Sequence, residues 1–159
     1  MFKDPQTIAR IEKRRQIVTT GIATEVKVRM KDFPPCHDWT HIERTRWFGR
    51  HIALAECADL YVVDLALLFH DLADHKFTQA GGPTSAQLAL EIMRRHGVNS
   101  NVIEMEVCQV IPSISFSNRD AIGRALTLNE EVSQDANMLE SLGATGVGRA
   151  FTTGAYKKR

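Results

Sequence analysis

His70 and Asp71 stand side by side at the end of the apolar run Leu60 to Phe69. Placing an imidazole and a carboxylate in an apolar surrounding is costly unless both are paired. An imidazole nitrogen and a carboxylate oxygen are good ligands for a divalent transition metal, and ligation would offset that cost. Other donors must then come from elsewhere in the chain. The stretch HDWTHIERTR offers His37 and His41, four residues apart and so on one helix face. The same spacing also suits a helix cap followed by a core histidine. The stretch SQDANMLESLGA offers Asp135, Asn137 and Glu140. Asp74 follows Asp71 by three positions, which suits either a general acid or base facing the same cleft or a turn residue bonded to backbone.

The elements that must position these side chains read as helices nearly throughout. Asp4 caps and Pro5 opens a first helix with Ile8, Ile11, Val18, Ile22, Val26 and Met30 at three- and four-residue steps. Pro34 and Pro35 end it. A second helix is predicted from Asp38 to Cys57 and a third from Leu60 to Leu72, the latter apolar almost all round and therefore central. A turn at Gly81-Gly82-Pro83, a Ser/Thr start and a Gly97 stop bound a fourth. Further helices are predicted over residues 101–113 and 127–142, with the segment Asn118-Arg119-Asp120 as a loop. The Gly-rich stretch from Gly143 onward has no assigned structure. No two-residue alternation runs long enough to demand a sheet, so the expected class is all-α.

Twenty Lys and Arg against nineteen Asp and Glu leave a formal charge of +1, which argues against a long nucleic acid as partner. Three cysteines without a CxxC pair suit buried thiols in a reducing compartment. No apolar signal segment follows Met1, and the run Leu60 to Phe69 is too short for a bilayer. The expected location is the cytoplasm, with no membrane partner. An exposed apolar helix face could support a homodimer.

The stretches HIERTR (residues 41–46), ALLFHDLADHKF (66–77) and VSQDANMLESLGATGVGRAF (132–151) together resemble the HD superfamily of metal-dependent phosphohydrolases. The nearest likeness is to its bacterial branch of small hydrolases acting on nucleotides. The resemblance covers residues 32 to 154. It implies an α-helical bundle in which one histidine, an adjacent His-Asp pair and a distant aspartate hold a metal ion. With the first helix read above, the expected organisation is an N-terminal helix over residues 1–31 packed on an HD domain of residues 32–154, with a basic tail at 155–159.

Carried onto this chain, the resemblance implies His41, His70 and Asp71 as ligands of one divalent ion, among Mn, Fe, Ni, Co, Zn and Mg. His37 and Asp38 would support His41 or a bound water. The family's last aspartate falls on Asn137, with Asp135 as a nearby substitute. Asparagine offers a carbonyl oxygen but no formal charge, so it should hold a cation less tightly. The implied reaction is attack of a metal-activated water on phosphorus, with release of phosphate or pyrophosphate from a nucleotide. Asp71 would orient the water, Asp74 would act as acid or base, and Lys76 and Arg44 would contact substrate phosphate. Arg119, Arg124 and Arg149 are further cations without an assigned place. The alternative implied by Asn137 is an HD domain that binds a nucleotide or signal ligand without turnover.

Overall fold

The computed structural model describes residues 4–34, 37–73 and 81–156, and these form an all-α bundle. The helices are α1 (Pro5–Arg29), α2 (Trp39–Glu56), α3 (Leu60–Phe69), α4 (Ser85–Arg95), α5 (Asn101–Ile114), α6 (Arg119–Ile122), α7 (Leu128–Glu140) and α8 (Gly143–Tyr156). No strand occurs among the described residues.

Local chemistry sets most of the helix ends. Asp4, Asp38, Asp59, Thr84, Ser100 and Thr127 each accept backbone N–H bonds at an N-terminus, where four donors otherwise lack partners. Thr84 with Gln87, and Thr127 with Glu130, close reciprocal capping boxes. Gly97, Gly123 and Gly143 take positive φ just beyond helix ends, where a side chain would be strained.

Helix α3 is the centre. Every residue from Val62 to Phe69 is buried, and α2, α4, α5 and α7 pack around it. Asp64 is the one charged side chain in that run. It receives paired bonds from Arg46 (2.8 and 3.0 Å) and Arg50 (3.1 and 2.8 Å), both on α2. Burial pushes the Asp64 carboxyl up, but the two guanidiniums outweigh it and hold it below the usual carboxylate range. At Gly49, a Cβ would stand 2.3 Å from Leu67 Cδ1 and 3.2 Å from Val63 Cγ1, so its absence lets α2 approach α3. The ion pair and the close seam together fix α2 and α3, and with them the two ends that carry His41 and His70.

Two sequence expectations change. The loop expected at residues 118–120 leads into a single helical turn, α6, and the Gly-rich stretch after Gly143 is helical to Tyr156. Gly143 opens α8 at φ +67°, a conformation that a residue with no Cβ adopts without strain. The third helix stops at Phe69, and His70 to Ala73 continue as turns. No described helix is long and apolar enough to cross a membrane.

Candidate metal centre

Residues from three parts of the chain meet at the end of α3. Asp38 caps α2, its Oδ1 accepting the His41 N–H at 3.0 Å and its Oδ2 accepting the Thr40 hydroxyl at 3.0 Å. That cap places His41 at the first turn of α2, with its side chain buried. The His70-Asp71 turn is stitched to α4 by Ser85, whose hydroxyl donates to the His70 carbonyl (3.0 Å) and accepts from the Ala73 N–H (2.9 Å). Helix α7 brings Glu140, fully buried, beneath His41.

The protons on the two rings can be assigned from their partners. His70 Nδ1 lies 2.8 Å from the Leu67 carbonyl, an acceptor, so Nδ1 carries the hydrogen and Nε2 keeps a lone pair. His41 Nδ1 lies 3.0 Å from Glu140 Oε2, within ion-pair reach though off the line of a good N–H···O bond. The carboxylate favours a hydrogen on Nδ1, which leaves Nε2 as the second lone pair. These two Nε2 atoms are 3.2 Å apart. Asp71 completes the cluster, with Oδ2 3.4 Å from His41 Nε2 and Oδ1 3.5 Å from His70 Nε2.

Two facing lone pairs beside a carboxylate need a proton or a cation between them. Burial pushes the His41 imidazole down, but Asp71 and Glu140 outweigh that and raise it, as a shared proton requires. Burial dominates at His70 and lowers it. Burial would raise Asp71, yet its neighbours His70, His37 and His41 together outweigh that and hold it well below the usual range. Two neutral imidazole nitrogens and an ionised carboxylate, all buried, are a donor set that fits a divalent ion.

His37 belongs to the same cluster. Its Nδ1 bonds Asp71 Oδ2 at 2.7 Å, and the donor atoms of His37, His41 and Asp71 all lie within 4.8 Å of one another. Asn137 lines the cavity above the cluster, and its Nδ2 donates to the Ile114 carbonyl at 3.3 Å. An aspartate could not make that bond. Asp135 is exposed and does not line the cavity, because two helical positions turn it roughly 200° away from Asn137. Arg44, expected at a substrate phosphate, instead binds Glu140 Oε1 through Nε (2.8 Å) and Nη2 (2.6 Å) and is not a cavity-lining residue. Asp74 and Lys76 lie outside the described residues, as does the Arg119 side chain. Arg124 pairs with Glu130, away from the cavity.

The cavity has a volume of about 720 Å³. Its lining combines the imidazole and carboxylate groups, Asn137 and Arg149 with the apolar residues Ile111, Pro112, Ile114 and Phe116. That volume lies within the range for small-molecule sites. Sequence reasoning left Arg149 unplaced and did not find Ser85 or Phe116. The Thr84 capping box marks the start of α4, but no local pattern says which residue of that turn meets His70.

Comparison with known proteins gives consistent relatives. No family model matches the chain. The uncharacterized protein YpgQ of Bacillus subtilis is 31% identical over 135 residues, covering 82% of this chain and 63% of YpgQ. The chain therefore spans just under two thirds of that relative's length. The crystal structure of B. subtilis YpgQ in complex with ADP superposes with a TM-score of 0.70 at 25% identity, covering 92% of this chain and 70% of that one. A predicted HD superfamily hydrolase from an uncultured Thermotogales bacterium superposes with a TM-score of 0.64 at 25% identity, over 84% of this chain and 74% of that one.

Proposed function

The chain belongs to the HD superfamily, and from that premise we propose that it is a metal-dependent phosphohydrolase acting on a nucleotide. The observation that carries the reading is the pair of Nε2 lone pairs 3.2 Å apart beside the Asp71 carboxylate. A divalent ion bound there would polarise a phosphoryl oxygen and make water a stronger nucleophile at neutral pH.

The residues of the chain would do the rest. His41, His70 and Asp71 are assigned as the ligands, with Asn137 contributing its carbonyl oxygen. Glu140 holds the His41 ring through Nδ1, and the Leu67 carbonyl holds the His70 ring, so both Nε2 atoms are aimed before the ion arrives. His37 steadies Asp71 Oδ2, which leaves Oδ1 to orient a water. Asp74 is assigned as general acid or base and Lys76 as a phosphate contact, both on the chemistry of their types and spacing. The apolar part of the cavity lining suits a nucleobase, and YpgQ, the relative solved with ADP, supports a nucleotide as the ligand class.

The test is incubation of the protein with nucleotide mono-, di- and triphosphates and manganese, with a chelated control, followed by mass spectrometry. Chelator-sensitive loss of one compound is expected, and its product tells phosphate release from pyrophosphate release. No loss of any compound would overturn the hydrolase reading.

One observation favours a second reading, binding without turnover. The Asn137 amide donates to the Ile114 carbonyl, so the position is fitted to an uncharged side chain. On this reading Asn137→Asp raises metal affinity and creates or increases turnover. If neither changes, Asn137 is not the fourth position.

A further inference from the structure

His70 and Asp71 are consecutive ligands, but the helix that leads to them stops one residue short. Helix α3 ends at Phe69 and residues 70–73 are turns, so the backbone that carries the pair leaves the helical ladder there. Within the turn, the Leu72 N–H bonds the Phe69 carbonyl at 3.1 Å, and the Leu67 carbonyl holds the His70 ring at 2.8 Å. The two backbone groups that flank Asp71, the His70 carbonyl and the Ala73 N–H, both go to one atom, Ser85 Oγ, at 3.0 and 2.9 Å. A hydroxyl can donate and accept at once, and Ser85 uses both capacities here. Asp71 is thereby clasped along its backbone on either side, while His37 bonds its carboxylate at Oδ2.

The anchor is fixed independently of the turn it holds. Ser85 is the first residue of α4, and the box closed by Thr84 and Gln87 (3.2 and 2.8 Å) sets the backbone around it. Further along α4, Ala89, Ile92 and Met93 are buried in the core. Ser85 itself is buried, at 8% exposure, where both of its bonds are stronger than in water. The demand on such an anchor is strict, since a metal centre needs its ligands held within about 0.5 Å of the productive geometry. The Nε2 atoms of His41 and His70 stand 3.2 Å apart, with Asp71 oxygens 3.4 and 3.5 Å from them. A small rotation of the 70–73 backbone would swing that carboxylate away from both rings.

We propose that Ser85 is a positioning residue of the metal centre, its hydroxyl pinning the 70–73 turn so that His70 and Asp71 meet one ion together with His41. The inference rests on the metal-dependent reading above and extends it to a residue of α4 that acts through the backbone of the ligands.

The experiment measures the manganese affinity of the full chain by competition with a chelating dye, with urea unfolding in chelator to establish that each variant is folded. Ser85→Ala is expected to weaken manganese about 10- to 100-fold, the range for loss of a group that orients ligands. Ser113→Ala is the control: it also removes a buried hydroxyl, bonded to the Val110 carbonyl at 2.7 Å, but on α5 and off the cavity lining. Whatever stability it loses, its manganese affinity should stay within about a factor of three of the unmodified chain, since no ligand is oriented through it. Ser85→Thr keeps the hydroxyl and should recover most of the affinity that Ser85→Ala loses. Unchanged affinity in Ser85→Ala overturns the assignment. So does an equal loss in Ser113→Ala, which would make the effect one of general stability, and so does a folded Ser85→Thr that binds no better than Ser85→Ala. Should Ser85→Ala fail to fold, Ser85→Cys keeps the shape with a thiol that donates and accepts only weakly: weakening of about 3- to 30-fold supports the assignment, and no change overturns it. If the unmodified chain binds no manganese, the metal-dependent reading itself fails, an outcome visible before any variant is made.

Discussion

Replacing Glu140 by glutamine removes one charge and almost no volume, so its effect can be worked from the partners of that carboxylate. Oε1 accepts from Arg44 at 2.8 and 2.6 Å, and Oε2 meets Arg149 and lies 3.0 Å from His41 Nδ1. Burial pushes the carboxyl up, but the bond and charge of His41, the bond from Arg44 and the charge of Arg149 bring it from 4.5 to about 2. The difference between those values corresponds to about 3 kcal/mol of stabilisation at neutral pH, by linkage. The Arg44 side chain is 36% exposed, so solvent screens part of its share and about 2 kcal/mol is the working figure. The sign follows from the direction of the shift. A carboxyl lowered in the folded state contributes fully above its unfolded value near 4.5, and the contribution disappears as pH falls toward about 2. Glu140→Gln should therefore lose about 2 kcal/mol at pH 7 in urea unfolding with a chelator present, and the gap should narrow steadily below pH 5. A gap under about 0.5 kcal/mol at pH 7, or one that does not narrow with acid, would refute the assignment of Glu140 as an ionised, buried anchor. The same variant should bind manganese about 10- to 100-fold more weakly, because the His41 ring loses the group that orients it.

Gly49→Ala forces a methyl against Leu67 and Val63 in the α2–α3 seam and should destabilise the chain by about 1–3 kcal/mol in urea unfolding; an unchanged midpoint would mean that the seam yields. Manganese at a hundredfold excess over its dissociation constant should stabilise by about 2.7 kcal/mol and raise the melting temperature by about 5 °C or more, reversed by chelator. A melting temperature indifferent to manganese would remove the metal centre. Phe116→Ala should weaken adenosine and the hydrolysis-resistant diphosphate α,β-methylene-ADP by a similar factor, since the phenyl lines the cavity. If only the diphosphate is affected, Phe116 does not contact the base.

Much of the framework was legible in the chain itself. The apolar run from Leu60 to Phe69 identified the central helix, and the His-Asp pair at its end identified where chemistry is concentrated. Caps at Asp4, Asp38, Thr84 and Thr127 fixed helix starts to within a residue or two, because a cap acts over three or four neighbours and needs nothing distant. Asn137 was visible as a departure from the family pattern for the same reason: it is a matter of residue type at one position. Helix α8 was not legible, since seven of its fourteen residues are glycine or alanine and their pattern has no strong local preference until the helix is formed on the bundle.

The partnerships of the site were decided only by the tertiary structure. Glu140 meets His41 and Arg44 across 96 or more residues of chain, at a place set by how α7 crosses α2. That crossing also determined that Arg44 points to Glu140 and that Asp135 faces solvent, where sequence spacing left both as candidates. It brought Phe116, which precedes α7 in the chain, and Arg149, which follows it, to one cavity. Helix periodicity and caps are short-range properties written into adjacent residues. Which buried charge finds which partner depends on the packing of whole helices, and no window of sequence contains that.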